Sequence, residues 1–258
     1  MRIAWLTDQH FPFEDRRAWL LALRISADFE PHAVPICSDD RDFYSVSHFD
    51  KDPARVKNQQ ADLDYWHRRM VEMKDILQPG WRDGKGRSIY YRPILGNHNE
   101  RWLRYMWQHP EIHGLNVLDY ANLHEFDKYG FTWIGERDNW EQNREWRIKD
   151  TLTLTHGSRM SVAAQMAGRF YDGSVVMGHL HRYNELAITK PNKEVIFGIQ
   201  SYCLCELEPL YMLHPNWQLG VLLITVYDSG QLAFENVPFC TGTGGLTAIW
   251  RGKMYTEK

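Results

Sequence analysis

An apolar, aromatic run from Ser88 to Leu95 stops at Gly96-Asn97-His98-Asn99-Glu100, and Arg101 to Met106 beyond it reads as the start of a helix. A strand, a glycine turn and a helix place these polar side chains at the C-terminal end of a strand, where α/β sheets gather their ligands. Gly96 permits a tight turn and close backbone approach. Asn97 offers a neutral carbonyl oxygen, and His98 offers an imidazole that carries a proton near neutral pH. Alone, the triplet is weak evidence. Four other strand-like runs end in the same way, and that recurrence constrains the fold more than any single segment does.

Arg2 to Thr7 reads as a buried strand and runs into Asp8-Gln9-His10. Glu14 to Phe29 has helical spacing. Ala33 to Cys37 is a second strand, closed by Ser38-Asp39-Asp40-Arg41-Asp42, where the aspartates would repel one another unless a cation is near. Asp52-Pro53 predicts a helix start, and apolar steps from Val56 to Leu77 predict one long amphipathic helix after it. Thr151 to Thr155 alternates like a strand and meets His156-Gly157. Ser161 to Phe170 reads as a short helix, and Ser174 to Met177 as a buried strand ending in Gly178-His179-Leu180-His181. Each cluster taken singly is also compatible with a solvated turn. Phe131 to Ile134 looks like a strand, and Arg137 to Arg144 like a loop or hairpin beside a cleft. The stretches 185–188, 195–199, 219–227 and 231–237 read as further strands. Residues 1–240 are expected to form a single domain and 241–258 an irregular tail.

Composition narrows the function classes. A chain of 258 residues with net charge -3 has no global basic footprint for nucleic acid. Cys37, Cys203, Cys205 and Cys240 make neither a metal-ribbon spacing nor a disulfide framework, which suits buried free thiols in a reducing compartment. The apolar stretch Val221–Val226 is far too short to span a bilayer, and Asp8 and His10 interrupt any leader-like run. The expectation is a soluble, cytoplasmic protein with no membrane contact.

Mixed oxygen and imidazole donors, with no thiolate among them, suit Mn, Fe or Zn better than Ca. The donors are too many for one ion. Two ions about 3.5–4 Å apart, bridged by one carboxylate, would use them all.

The order Asp-x-His, Asp-x-x-Asp, Gly-Asn-His-x-Glu, His-Gly and Gly-His-x-His, running from Asp8 to His181, resembles the calcineurin-like metallophosphoesterase superfamily. Asp42 to Val46 and Asn216 to Gly220 also look like its compact phage and prophage members. The resemblance implies an α/β fold, a two-sheet mixed β-sandwich flanked by α-helices in four layers. It implies that Asp8, His10, Asp39 and His181 hold one metal, and that Asp39, Asn97, His156 and His179 hold the other. Manganese heads the implied metals, with iron, zinc or nickel as alternatives. His98 would protonate the leaving group, and Asp42 would orient it.

The implied activity is hydrolysis of phosphate esters, diesters above all, by metal-activated hydroxide in the cytoplasm of a bacterium or phage-infected host. Two alternatives stand beside it. One is a repair-type nuclease, with Arg101 and Arg104 pairing phosphates of a nucleic-acid partner. The other is a non-catalytic metal-containing platform. One departure bears on the second: Ser38 stands where the family has glycine, and a positive φ there would cost of order 1 kcal/mol. Oligomeric state is not written in these motifs.

Overall fold

The computed structural model describes residues 1–56, 58–112, 114–136, 140–157, 163–209 and 213–258. Its first half contains β1 (Arg2–Thr7), α1 (Arg16–Phe29), β2 (Ala33–Cys37), α2 (Gln59–Leu77), β3 (Tyr90–Ile94), α3 (Asn99–Gln108), α4 (Tyr120–Leu123) and α5 (Phe126–Tyr129). The second half contains β4 (Glu145–Ile148), β5 (Leu152–Thr155), α6 (Ala163–Met166), β6 (Ser174–Met177), β7 (Asn184–Thr189), β8 (Val195–Gln200), β9 (Gly220–Val226), β10 (Leu232–Pro238), β11 (Cys240–Gly242), β12 (Gly245–Trp250) and β13 (Lys253–Glu257).

Two mixed five-stranded sheets result, in the orders β10-β9-β1-β2-β3 and β4-β5-β6-β8-β7. β1, β2 and β3 are parallel neighbours, as are β5, β6 and β8. Strands covered on both faces need apolar residues at successive positions, which is why these runs are nearly unbroken. One face of the first sheet carries Ile3, Trp5, Ile94, Leu222 and Ile224, and these pack in one buried cluster with Leu152, Leu154, Val176 and Ile199 of the second. The alternating residues Ala4, Leu6, Val34 and Ile36 point the other way, into a cluster with Leu21 and Ile25 of α1 and Trp66 and Met70 of α2. Beyond the second sheet, Val175 and Ile196 pack with Ala167, just after α6. The molecule is a two-sheet α/β sandwich with helices outside. No helix among the described residues is long and apolar enough to cross a membrane.

Three sequence expectations change. Pro53 does not open the long helix: Asp52 Oδ1 accepts from Ala54 N at 2.9 Å in a separate turn, and α2 starts after Asn58, whose Oδ1 accepts from Ala61 N at 2.8 Å. Phe131 makes only an isolated bridge to Tyr91 rather than a strand.

The expected irregular tail 241–258 is instead the three-stranded antiparallel sheet β11-β12-β13. Glycine and threonine there mask an alternating pattern in which Leu246, Ala248, Trp250 and Tyr255 join the cluster under α1. The β12–β13 hairpin turns on Arg251-Gly252, both at positive φ (49° and 77°), the backbone that a tight two-residue hairpin needs. Arg137-Asp138-Asn139 of the expected cleft loop and 158–162, which include the start of the expected Ser161 helix, lie outside the described residues.

Candidate metal centre

Asp8 and His10 follow β1, Asp39 and Asp42 follow β2, Asn97 and His98 follow β3, His156 follows β5, and His179 and His181 follow β6. The ends of β1, β2 and β3 in one sheet and of β5 and β6 in the other lie side by side, so all nine side chains meet. Backbone hydrogen bonds tie the loops together: Asp8 N donates to Ser38 O (2.9 Å), His10 N to Asp39 O (2.8 Å) and Ser38 N to Ile94 O (2.7 Å).

The packing is tight enough to demand glycine. A Cβ on Gly96 would stand 2.3 Å from Asp39 Oδ1, and one on Gly178 would stand 2.3 Å from Thr7 Oγ1 and 2.4 Å from Asp8 Oδ2. Elsewhere the loops accept strain instead. Asp8, His10, Ser38, Asp39, His179 and His181 all have φ between 52° and 73°, the left-handed region that costs a non-glycine residue energy and recurs at functional sites. Ser38 is among them, fully buried, and its Oγ has no hydrogen-bond partner.

Nitrogen and oxygen donors converge on two adjoining spots. Around the first, His181 Nε2 is 3.3 Å from Asp8 Oδ1 and 3.3 Å from His10 Nε2. Around the second, His156 Nε2 is 3.2 Å from Asp39 Oδ2, 2.8 Å from Asn97 Oδ1 and 3.0 Å from His179 Nδ1. Donors that share an ion at about 2.1 Å are separated by roughly 3.0–3.4 Å, so these spacings fit a divalent cation at each spot. Asp39 groups with His156 and His179 on one side and with Asp8 and His10 on the other. His156 Nδ1 is buried without a hydrogen-bond partner, with Asp8 Oδ1 3.8 Å away, and two of the close pairs, His10–His181 and His156–His179, set one imidazole nitrogen against another. The donor set therefore fits metal better than it satisfies itself.

The charges follow the same logic. Burial alone would raise the Asp8 and Asp39 carboxyls, but the imidazoles of His181 beside the first and His156 beside the second hold both low. Burial alone would lower His181, yet Asp8 holds it up at about 9. His179 is lowered to about 4, by burial and then by His156 next to it. His10 is also lowered, by burial and by neighbouring His98.

At the open side, where Asn97 is exposed and His98 half-buried, sits the His98–Asp42 pair. His98 Nδ1 is 3.1 Å from Asp42 Oδ2, and His98 N donates to Asp39 Oδ1 at 2.7 Å. Burial would raise Asp42, but His98, His10 and Arg101 together hold it far below the usual carboxylate range.

Asp40, the third aspartate of its loop, turns away from the centre. It accepts from Trp66 Nε1 (2.6 Å) and Asn99 Nδ2 (2.7 Å) in the protein interior. Asn99 Oδ1 in turn accepts from Asp39 N (3.1 Å) and Gly96 N (2.8 Å), clamping two of the ligand loops.

Two participants had no local signal, and a third was considered in another role. Asn99 looked like a spacer inside its motif. Cys205 arrives from a distant segment to place its Sγ 3.6 Å from His181 Nδ1, and burial keeps this thiol well above its ordinary pKa, hence neutral. The nuclease alternative set Arg101 against a nucleic acid. Its side chain is 15% exposed and bonded to Asp42, whereas Arg104, at 61%, pairs with Glu100 on the surface.

No family model matches the chain. It is 25% identical over 262 residues to "Gene 54 protein" of Mycobacterium phage L5, covering 93% of this chain and 94% of that protein. It is 24% identical over 264 residues to "Gene 54 protein" of Mycobacterium phage D29, again covering 93% and 94%. The chain is thus similar, along nearly its full length, to phage-encoded proteins.

Proposed function

We propose that this chain is a dinuclear metal-dependent phosphoesterase of the calcineurin-like, four-layer type, acting on phosphodiesters. The observation that carries the reading is the meeting of seven ligand-type side chains, from strand ends of two sheets, in one strained and largely buried cluster. Asp8, His10, Asp39 and His181 would hold one divalent cation. Asn97, His156 and His179 would hold a second with Asp39 shared. Manganese is the first candidate; iron, zinc and nickel suit the same donors. Bound cations would supply charge neutralisation for the phosphate and an acidified water.

The protein's own groups do the rest. His98, at the open side, would pass a proton to the leaving oxygen. Asp42, anionic across the working pH range, would stabilise the cationic imidazole and fix its orientation. Left-handed Asp8 and Asp39 hold their carboxylates in place before a metal arrives, so little reorganisation is needed. The likeness to phage proteins supports action in the cytoplasm of a bacterium or infected host.

The test is hydrolysis of bis-p-nitrophenyl phosphate and p-nitrophenyl phosphate by stripped protein refilled with Mn, Ni or Zn, beside His98→Ala. Metal-dependent diester cleavage that disappears in the variant supports the reading. Two bound metals with no cleavage of either compound would instead favour the non-catalytic platform, for which Ser38 is the supporting residue. A nuclease remains the substrate-specific form of the same chemistry; Arg104 and Arg144, both paired to Glu100 near the opening, are the cations that would favour it.

A further inference from the structure

Arg101 sits in the first turn of α3 with its guanidinium held on three atoms. Nη1 donates to Asp42 Oδ1 and to Asp42 O, both at 2.8 Å. Nη2 lies 3.0 Å from His98 Nε2. A guanidinium can only donate. His98 Nε2 is therefore the acceptor, its lone pair covered by Arg101, and the imidazole hydrogen sits on Nδ1 facing Asp42 Oδ2. The same Nε2 stands 3.9 Å from Asp39 Oδ2, so of the two His98 ring nitrogens it is the one that faces the shared carboxylate. In this arrangement the His98 ring nitrogen nearer to Asp39 is covered by a cation.

Resting on the phosphoesterase reading, we propose that Arg101 is a substrate-binding arm. On entry of a phosphate ester, Nη2 leaves His98 Nε2 for a non-bridging phosphate oxygen while Nη1 stays anchored on Asp42. The exchange is favourable in kind, because a guanidinium bonds an anionic oxygen more strongly than a neutral imidazole nitrogen. It also frees the Nε2 lone pair to take up a proton from solvent, the cationic ring being balanced by Asp42, and that proton then passes from Nε2 to the leaving oxygen. The arm selects the substrate class: an ester whose phosphorus keeps a charged non-bridging oxygen on the His98 side. The half-buried anchor on Asp42 keeps the swing short, since only one of the two terminal nitrogens changes partner.

The experiment compares wild type with Arg101→Gln and Arg101→Lys, each refilled with zinc, in two measurements. Steady-state hydrolysis of bis-p-nitrophenyl phosphate should show KM raised roughly 10–100-fold in Arg101→Gln, the loss expected for one charge-assisted contact, with kcat changed far less. Arg101→Lys, which keeps the charge and folds more safely, should recover part of the KM. Calorimetric binding of inorganic phosphate should weaken by a similar factor in Arg101→Gln.

Unchanged KM with kcat falling as in His98→Ala would overturn the proposal and make Arg101 a mere anchor. Should wild type turn nothing over, the phosphoesterase reading fails by itself. The phosphate titration still decides the arm: equal affinity in wild type and Arg101→Gln overturns it.

Discussion

Asp42 Oδ2 lies 3.2 Å from Nδ1 of His10. The same oxygen lies 3.1 Å from Nδ1 of His98. One carboxylate oxygen thus orients both a candidate metal ligand and the candidate acid, and it couples two functions that are usually separable. Asp42→Asn should loosen the first cation about 10–100-fold, the usual cost of losing the partner behind a ligating histidine, and should also abolish turnover. His98→Ala should lose turnover alone. Metal content after dialysis, measured by elemental analysis beside activity, separates the two variants; full metal retention in Asp42→Asn would show that His10 does not depend on it.

Metal uptake should release a proton at the His181 side and not at His179. Asp8 holds His181 up at about 9 in the metal-free protein, so at pH 7.5 it is protonated and must lose that proton to ligate, whereas His179, at about 4, is already neutral. Affinity should rise about tenfold per pH unit for each displaced proton below about 9. The sign for metal-free stability is opposite. A folded pKa raised above the unfolded value gives stability that is complete below about 6.5 and is lost as pH climbs through about 9. Zinc titrations in two buffers of different ionisation heat, and urea melts of stripped protein across that range, read the two effects.

Gly178→Ala and Gly96→Ala should damage the centre more than the fold. Each added methyl meets a carboxylate oxygen, Asp8 Oδ2 at 2.4 Å or Asp39 Oδ1 at 2.3 Å. The expected cost is about 1–3 kcal/mol of stability together with loss of bound metal. Ser38→Gly should move the other way, gaining about 1 kcal/mol by relieving a left-handed, unpaired buried serine. Thermal melts and metal content check all three.

Asn99→Asp should be among the harshest isosteric changes in the chain. It sets a second carboxylate 2.7 Å from Asp40 in a site with no exposed surface, while Trp66 and Tyr120 already claim Asp40. About 3 kcal/mol of destabilisation at neutral pH is expected, partly recovered at acid pH as one carboxyl takes a proton. A melting temperature unchanged at pH 7 would show that the clamp carries no weight.

Tyr255→Ala should cost about 3 kcal/mol, because its ring is buried with Trp250 beneath α1 and its hydroxyl donates to Asp28 at 2.7 Å. Deleting 241–258 should expose that face of α1 and leave an unstable, aggregation-prone chain. Urea denaturation of the point variant and solubility of the truncation test this.

By itself the sequence determined where the strands end and which polar residues stand there. Apolar runs closed by Asp8/His10, Asp39/Asp42, Asn97/His98, His156 and His179/His181 are local patterns, and burial on both faces of a strand leaves its mark on consecutive residues. The two-sheet arrangement was implied by the family resemblance and not by these patterns. The tertiary structure alone decided which way each polar side chain turns. Asp39 faces the centre while Asp40, its neighbour, faces Trp66. Arg101 covers His98 rather than open solvent, and Cys205 reaches His181 across an interval of 24 residues. The Gly- and Thr-rich end became a sheet because α1 has an apolar face for it to cover. Periodicity records which face of an element is buried. It carries no information about the distant side chain waiting on that face, and for hydrogen bonds and ion pairs the partner decides the role.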